Sequence, residues 1–427
     1  MRSVLNRRRF LTAGVAALSA TALALTGCTT DDPEPTTSAE LSGTVTFWHA
    51  YSADSQEVKT LNEVVLPGFK AKHPGVDVKQ VAIPYDQLHQ KLITGAAAGD
   101  VPDVMRSDIA WVSELAKLGL LEQLDAAMPD FQELAARTFP GTLATNLYNG
   151  KYYGLPLDTN TRVLMYNADA LAKAGVTEPP RTFDDLRALA TKLDGKGVFA
   201  FADNGLSGWN VLPWIWSAGG DITNPEYTKA TGFLNSPASV SGVQLLFDLY
   251  GQKQLPNIIL GGTGGTPTSD GLATGKYATI LDGPWMYPIF QSAHPDFKLQ
   301  VAPVPAGPGG SVSVVGGEDV VVFRASKNKA AALEFTRYLL SEEAQLAMAK
   351  VGQMSVLKDL DVTAVNPIYG PFVQQLQTAK PRPPVPNWSK INDLLQAKLQ
   401  NAFKGDLTVQ AALDQAAAEI DPLLAQG

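Results

Sequence analysis

The sequence predicts a secreted α/β protein with two domains, and three observations support this. Residues 1–27 have the pattern of a secretion signal. Segments with strand periodicity alternate with segments of helical periodicity, which is typical of sheets covered by helices on both faces. About 385 residues follow the N-terminal region, and a chain of that length exceeds one comfortable hydrophobic core.

The N-terminal segment predicts export and lipid attachment. Residues 6–11 (NRRRFL) carry a twin-arginine pattern, and the uncharged run 12–25 follows them. Leu-Thr-Gly then precedes Cys28, the only cysteine, which resembles a bacterial lipobox and implies that Cys28 is acylated and becomes the mature N-terminus. A transmembrane helix is the alternative, but a membrane span needs roughly 20 apolar residues. We therefore expect residues 1–27 to be a lipoprotein signal peptide.

Residues 28–40 are expected to form a disordered tether. They are rich in acidic residues, Pro, Ser and Thr, a composition that buries almost nothing. The folded part therefore begins near Leu41. The lipid on Cys28 would hold it at the outer face of the cell membrane, and the protein would not enter the bilayer.

Charge and composition exclude several classes of function. Removing residues 1–27 takes away four arginines and no acids, which leaves 30 basic and 42 acidic residues and a formal charge of −12. Such a charge argues against nucleic acid as a partner. The four histidines have no metal-ligand spacing, so neither a metal site nor a cofactor is expected. Because Cys28 is used for lipid, packing must supply the stability without an internal disulfide.

Two regions of alternating strands and helices are predicted along the chain. In the first, strands are predicted at 43–49, 76–82 and 101–106, and helices at 54–72, 85–98 and 109–118. The second begins near Asn160, with strands predicted at 161–166, 199–201, 277–282 and 319–323, and helices at 330–340, 341–351, 388–404 and 409–424. A capping box at 182–185 opens a further helix of this region.

Several stretches in a fixed order point to a family. They include VTFWHAY (45–51), AGDVPDVMRSD (98–108), KYYGLPLDTNTRVLMYN (151–167), DGPW (282–285) and GGEDVVVFRASKNKAAALEFTRYLLSEEAQ (316–345). Together they resemble the extracellular solute-binding proteins of sugar-importing transporters, the maltose-binding-protein-like family. No single motif is diagnostic, and their order over nearly the whole chain after residue 43 makes the resemblance specific.

The resemblance implies a periplasmic-binding-protein-like fold, with two α/β lobes joined by crossover strands and a ligand cleft between them that closes by hinge motion. It places the first lobe at 41–158 plus 318–355, and the second lobe at 159–317 plus 356–427. It also implies a substrate-binding lipoprotein of an ABC transporter. Such a protein would act as a monomer, without catalysis, and deliver a di- or oligosaccharide to the membrane permease.

A sugar site needs hydrogen-bonding groups around the edge of the ring and aromatic planes against its faces. In the second lobe, Trp285 follows a strand in DGPW, where the family position implies a stacking aromatic. Trp209 and Asn210 come after residues 205–208 and are predicted to lie on a cleft loop. Asn160 matches a polar cleft position next to the first crossover, where the family often has a carboxylate.

Candidates in the first lobe lie at strand ends, where α/β folds place their ligands. His49 and Tyr51 end the first strand, and a contact with the next helix is the alternative. Asp108 is the preferred carboxylate for accepting two sugar hydroxyls, although it could equally cap the following helix. Gly317, with Gly316 before it, would bring backbone N–H groups close to the ligand.

Alternatives remain for one residue and for the ligand. For Arg382, contact with the edge of the cleft is an alternative to the favoured surface position. The ligand could be a glycerophosphodiester or another polar solute, but a phosphate would favour Arg, Lys or a helix N-terminus in the cleft. A surface carbohydrate-active enzyme is a third reading, yet no motif places a carboxylate pair for glycoside hydrolysis.

Overall fold

The computed structural model describes residues 41–261 and 266–426. The predicted signal peptide at 1–27, the lipidation site Cys28 and the tether at 28–40 lie outside the described residues. Within the described ranges, no helix is both long enough and apolar enough to cross a bilayer.

The strands form two main sheets and one hairpin. In the described part of the chain they are β1 (Gly43–His49), β2 (Val76–Ala82), β3 (Val104–Asp108), β4 (Leu147–Tyr148), β5 (Lys151–Tyr152), β6 (Leu155–Thr161), β7 (Val163–Tyr166), β8 (Phe199–Ala202), β9 (Tyr277–Asp282), β10 (Gln300–Ala302), β11 (Val315–Val322) and β12 (Met354–Ser355).

Helices cover both sheets. They are α1 (Gln56–Thr60), α2 (Leu66–Lys72), α3 (Tyr85–Ala98), α4 (Val112–Lys117), α5 (Leu124–Ala127), α6 (Phe131–Arg137), α7 (Pro140–Leu143), α8 (Ala168–Lys173), α9 (Phe183–Leu193), α10 (Gly208–Ser217), α11 (Pro237–Gly251), α12 (Thr268–Ala273), α13 (Met286–Ala293), α14 (Lys329–Leu339), α15 (Glu342–Ala349), α16 (Val362–Val365), α17 (Tyr369–Leu376), α18 (Trp388–Lys404) and α19 (Val409–Leu424). A π-helical turn covers Leu61–Val65, and 3₁₀ turns cover Ala144–Asn146 and Asn257–Leu260.

The first lobe is built on a six-stranded sheet with the strand order β12-β6-β11-β3-β1-β2. Strand β1 is parallel to β2 and β3, whereas β11 is antiparallel to both β3 and β6. Phe335 of α14 packs edge-on against Phe47 of β1 and Phe69 of α2, with ring centroids 5.3 and 5.1 Å apart. These aromatic contacts fix the helices on one face of the sheet.

The second lobe is built on a four-stranded sheet with the order β10-β7-β9-β8. Successive residues of a strand point to opposite faces, and both faces of this sheet are buried. Leu164 of β7 belongs to a core with Trp214 and Leu395 on one side, while its neighbour Met165 packs with Phe372 on the other. Helices α10 and α18 therefore cover one face, and α17 covers the other.

The chain passes from one sheet to the other at Arg162. Strand β6 pairs with β11 in the six-stranded sheet up to Thr161, and β7 begins at Val163 in the four-stranded sheet. A single residue thus separates two strands that belong to different lobes, which is the crossover arrangement that the resemblance implies. The residue boundaries given above for the two lobes stay a prediction.

Many predicted elements are confirmed, including the strands at 43–49, 76–82 and 277–282 and the helices at 85–98, 388–404 and 409–424. The helix predicted over 54–72 is helical from Gln56 to Lys72, but a π turn interrupts it where Leu66 N donates to Leu61 O. Pro67 follows, and its missing N–H removes one helical hydrogen bond from this turn.

Two strand predictions are wrong in position. The strand predicted at 101–106 runs from Val104 to Asp108, because Asp103 is used beforehand to bind the N–H and hydroxyl of Thr46. The strand predicted at 161–166 is β6 followed by β7. Asp108 therefore ends its strand, and Asn160 lies within β6.

Candidate ligand-binding site between the lobes

Three carboxylates lie side by side where the six-stranded sheet gives way to the crossovers. Glu318 of β11 is opposite Asp108 in β3 and opposite Asp158 in β6. Directly opposed residues of neighbouring strands point to the same face of a sheet. The three strands therefore present a row of acids at the edge that faces the second lobe.

One buried arginine neutralises part of this row. Arg106 Nε donates to Asp158 Oδ2 at 3.1 Å, and its Nη2 lies 2.6 Å from Glu318 Oε2 and 3.1 Å from Gln353 Oε1. Burial raises the pKa of Glu318 well above its ordinary range, Arg106 opposes this effect, and the nearby Asp158 carboxylate adds to it. Glu318 therefore holds its proton at higher pH than an exposed glutamate does.

The structure places His49 and Tyr51 against this network. His49 Nε2 lies 2.7 Å from Gln80 Oε1, and its Nδ1 accepts from the Tyr51 N–H at 3.3 Å. Burial lowers the pKa of His49 to about 4, so its imidazole is neutral at physiological pH. The Tyr51 ring lies 4.2 Å from the Arg106 guanidinium carbon. Both side chains are buried and support Arg106.

Asp108 is fully engaged by protein donors. Its Oδ1 accepts from Arg382 Nη2 at 2.8 Å and from the Ala110 N–H at 2.7 Å. Its Oδ2 accepts from the Tyr85 hydroxyl at 2.7 Å and from Arg382 Nη1 at 3.3 Å. The bond to Ala110 also fixes the turn that leads into α4.

The favoured surface position for Arg382 is wrong. Its side chain is 8 % exposed in the ion pair with Asp108, and its guanidinium carbon lies 5.8 Å from the centre of the Trp209 ring. A charge-assisted pair of hydrogen bonds and an aromatic face together supply the environment that an arginine needs when it is buried.

Two tryptophans of the second lobe lie next to each other. Trp209 and Trp285 have ring centroids 6.1 Å apart with the planes at 34°. Trp209 and Asn210 lie in the first turn of α10, so the prediction of a cleft loop is wrong. Ser207 begins this helix, and Gly208 in its first turn leaves room for the Trp388 ring. A helix holds Trp209 more rigidly than a loop would.

Asn160 and Trp209 approach each other closely at Gly316, which has no side chain to separate them. A side chain at Gly316 would overlap Asn160 Oδ1 and would lie 2.7 Å from the Trp209 ring, so only glycine lets these groups approach each other. Gly317 has a φ of +132°, and a side chain there would lie 2.9 Å from Thr159 Cα. Its carbonyl accepts from the Ile109 N–H at 3.4 Å.

Three polar side-chain atoms near Trp209 are buried without a hydrogen-bond partner in the described structure. They are the acceptor Asn160 Oδ1 and the donors Arg382 Nε and Arg162 Nε. Buried polar groups normally have a partner, because leaving one unpaired costs about 1–3 kcal/mol. These atoms are therefore candidates for hydrogen bonds to a bound molecule.

Behind the tryptophans lies a second neutralised pair. Arg162 donates through Nη2 to both Asp203 oxygens at 2.8 and 2.9 Å, and also to the Leu281 carbonyl. Asn210 donates to Asp203 at 2.6 Å and accepts from Ser207 at the start of α10. Both polar atoms of the Asn210 side chain are therefore used in hydrogen bonds behind the tryptophans, to Asp203 and Ser207.

Asp282 precedes the turn that carries Trp285. Its Oδ1 accepts from the Gly283 N–H at 2.8 Å. Burial raises the pKa of Asp282 to about 6, against the opposing charge of Arg162. This carboxyl therefore titrates near neutral pH beside the tryptophan pair.

The structure brings Asp108, Arg382, Asn160, Trp209 and Trp285 together, and it turns His49, Tyr51 and Asn210 to supporting contacts.

The sequence reasoning missed Tyr85, Glu318 and Arg162. Tyr85 follows the end of β2, so the strand-end rule could have found it. Glu318 and Arg162 carry no local signal, since their roles depend on strand pairing. Among the described residues, no group of three His, Cys, Asp or Glu is arranged to hold a metal ion.

Comparisons with known proteins agree with the two-lobed fold. The GacH receptor of Streptomyces glaucescens, solved unliganded and with acarbose, matches with a TM-score of 0.80 and 27% identity over 90% of this chain and 99% of its own. The galactooligosaccharide-binding protein of Bacillus subtilis is 24% identical over 419 residues, which is 93% of this chain and 94% of that protein.

A lipoprotein encoded in the oleD 5′ region of Streptomyces antibioticus is 27% identical over 347 residues, 78% of this chain and 73% of that protein. The family model described as bacterial extracellular solute-binding protein matches residues 52–346. These residues include most of the first lobe and the whole sheet of the second. The chain therefore belongs to the bacterial extracellular solute-binding proteins.

Proposed function

We propose that this protein is the sugar-binding lipoprotein of an ABC importer, which captures a di- or oligosaccharide between its lobes and delivers it to the membrane permease. One observation supports a sugar as the class of ligand. The tryptophan pair of the second lobe lies beside unpaired hydrogen-bonding atoms at the end of the polar row of the first lobe. Stacking faces beside such groups match the two kinds of surface that a sugar offers.

The charges of the site favour a neutral sugar over a glycerophosphodiester. Each arginine beside the tryptophans or the acid row is already paired with a carboxylate: Arg382 with Asp108, Arg162 with Asp203, and Arg106 with Asp158. An anionic solute would have to compete with these buried acids. A hydroxyl needs no free charge, because it can accept from Arg382 Nε and donate to Asn160 Oδ1.

Capture would work as a clamp that closes on the ligand. The stacking and hydrogen-bonding groups come from both lobes, so a sugar gains its full set of contacts only when the lobes meet. That difference in affinity between open and closed states is what drives closure. The permease would then recognise the closed form, and the protein itself needs no catalytic group.

A thermal-shift screen tests the ligand class. It would include neutral di- and trisaccharides, glycerophosphodiesters and single sugars. At 100 times its dissociation constant a ligand adds roughly 2.7 kcal/mol of stability, which gives a clear shift. Mass spectrometry of the recovered sugar tests the enzyme alternative. A shift with phosphodiesters alone, or cleavage of the sugar, would contradict the proposal.

Membrane attachment is tested at Cys28. The lipobox-like sequence before it supports acylation, and a related protein is named a lipoprotein. We expect Cys28→Ala to release the protein from membranes or to leave the uncleaved precursor, and cell fractionation with immunoblotting reads this directly. Normal processing and full membrane retention in the variant would disprove lipidation at this residue.

A further inference from the structure

A buried ion pair connects the two lobes directly. Arg382 belongs to the segment 380–386, which leads into α18 of the second lobe. The Gly208 N–H of α10 donates to Asn392 of α18 at 2.7 Å, and Trp388 at the start of α18 belongs to the same core as Trp214. Asp108, the partner of Arg382, is the last residue of β3 in the first lobe.

The same two parts of the molecule touch at further points around this pair. Helix α4 of the first lobe meets the C-terminal part of the chain through Glu114, which accepts from Ser389 at 2.8 Å, and through Ser113, which donates to the Pro384 carbonyl at 3.4 Å. These are single, partly buried hydrogen bonds. The Arg382–Asp108 contact differs because it joins two opposite charges through two bonds, with the two side chains only 8 and 7 % exposed.

The free energy of the Arg382 and Asp108 charges depends on whether the lobes are closed or open. In the closed arrangement each ion has lost its water and depends on the other, and Tyr85 and the Ala110 N–H saturate the rest of the carboxylate. When the lobes separate, both ions regain water. Removing one ion is therefore costly only in the closed state, where it leaves the other buried without a counter-charge.

We propose that Arg382 is a positioning residue that acts through Asp108: their ion pair is a latch that holds the lobes together without any ligand. It follows that a fraction of solute-free molecules is closed, and that this fraction depends on Arg382. This inference goes beyond the proposed function, since it concerns how the lobes are held and not which solute enters.

Distance distributions between the lobes test the latch. Spin labels would be attached by Asp77→Cys in the first lobe and Asp184→Cys in the second, both exposed, in the Cys28→Ala background. Double electron–electron resonance without any sugar should show a closed population in the parent. Arg382→Met should lower the ratio of closed to open molecules at least tenfold. Lys398→Met, which removes an ion pair between α18 and α19 of the second lobe, should leave the ratio unchanged.

A second comparison separates charge from packing. Asp108→Asn alone should also lose the closed population, because Arg382 is then buried unpaired. The double variant Asp108→Asn with Arg382→Met should recover part of it, since no unpaired charge remains. Arg382→Lys keeps the charge without the two-pronged contact and should be intermediate.

Three results would overturn the proposal: a parent with no closed population, an Arg382→Met variant with the parent's ratio, or a double variant no better than either single one. Circular dichroism of each variant confirms folding. If Arg382→Met does not fold, Asp108→Asn and Arg382→Lys provide the same comparison. Because no solute is present, the outcome is independent of whether the natural ligand is a sugar.

Discussion

The two walls of the cleft are built on different principles. The wall of the first lobe is a row of acids on neighbouring strands, Asp108, Glu318 and Asp158, held by buried arginine. The wall of the second lobe is the pair Trp209 and Trp285, which a helix and a tight turn carry. The first wall presents polar groups, whereas the second presents apolar faces with Arg382 as a hydrogen-bond donor beside Trp209. A polyhydroxylated ring needs both kinds of surface.

The walls also differ in how their charges are balanced. Behind the tryptophans, Arg162 and Asp203 form an ion pair in which each side chain is only 2 % exposed, and Asn210 adds a hydrogen bond to Asp203. In the first lobe, one arginine serves two acids, and the pKa of Glu318 rises in response to burial. The buried ion pair makes the second wall a fixed platform, whereas the first wall depends on one arginine shared between two acids.

The largest expected effect tests the platform. Arg162→Met should lower the free energy of unfolding by about 3–5 kcal/mol, because it leaves the Asp203 carboxylate buried and unpaired. Chemical denaturation measures this directly. Arg187→Met, which removes an exposed ion pair with Asp184 in the same lobe, is the control and should have little effect. Equal losses in the two variants would mean that burial does not set the difference.

Removing either tryptophan tests the apolar wall. Trp285→Ala and Trp209→Ala should each weaken sugar binding by roughly 2 kcal/mol or more, the scale of a buried aromatic anchor, while the fold persists. Calorimetry with the sugar found in the thermal-shift screen gives the affinities. Ile289→Ala, an exposed change on α13, should bind like the parent. Unchanged affinity in both tryptophan variants would show that these rings only pack.

The smallest effect concerns Asp282 and the pH dependence of stability. Its pKa is about 6 in the folded protein against 3.8 for an exposed aspartate, so the ionised form is disfavoured by folding. The stability that its raised pKa contributes is complete below pH 3.8 and is lost as the pH rises through about 6. Asp282→Asn avoids that loss. It should be more stable than the parent by about 1 kcal/mol or more at pH 7, and nearly equal to it at pH 4.

Denaturation of both proteins at several values between pH 4 and 7 would show this convergence. A constant difference between Asp282→Asn and the parent over that range would contradict the titration of Asp282. The same series in Glu318→Gln would locate the titration of the first wall and compare the two.

Local patterns determined the elements of the fold. The period-2 segment at 43–49 and the amphipathic segments at 388–404 and 409–424 reach their observed bounds because hydrophobic spacing and end signals act within a few residues. Trp285 could be proposed from its place after a strand. Arg382 could be named, but its favoured surface position was wrong, because nothing near it in the chain indicates that Asp108, some 270 residues earlier, is its partner.

By itself the sequence determined the two α/β regions, the order of motifs that marks the family, and which residue types are available for a sugar. Only the tertiary structure decided which of them meet. Strand pairing set Glu318 between two other acids, and the glycine at 316 allowed Asn160 to approach Trp209. Arg382 forms its ion pair with Asp108 of the other lobe. The physical reason is range: propensity and periodicity act along the chain, whereas register, close approach and charge pairing arise between segments that only the fold brings together.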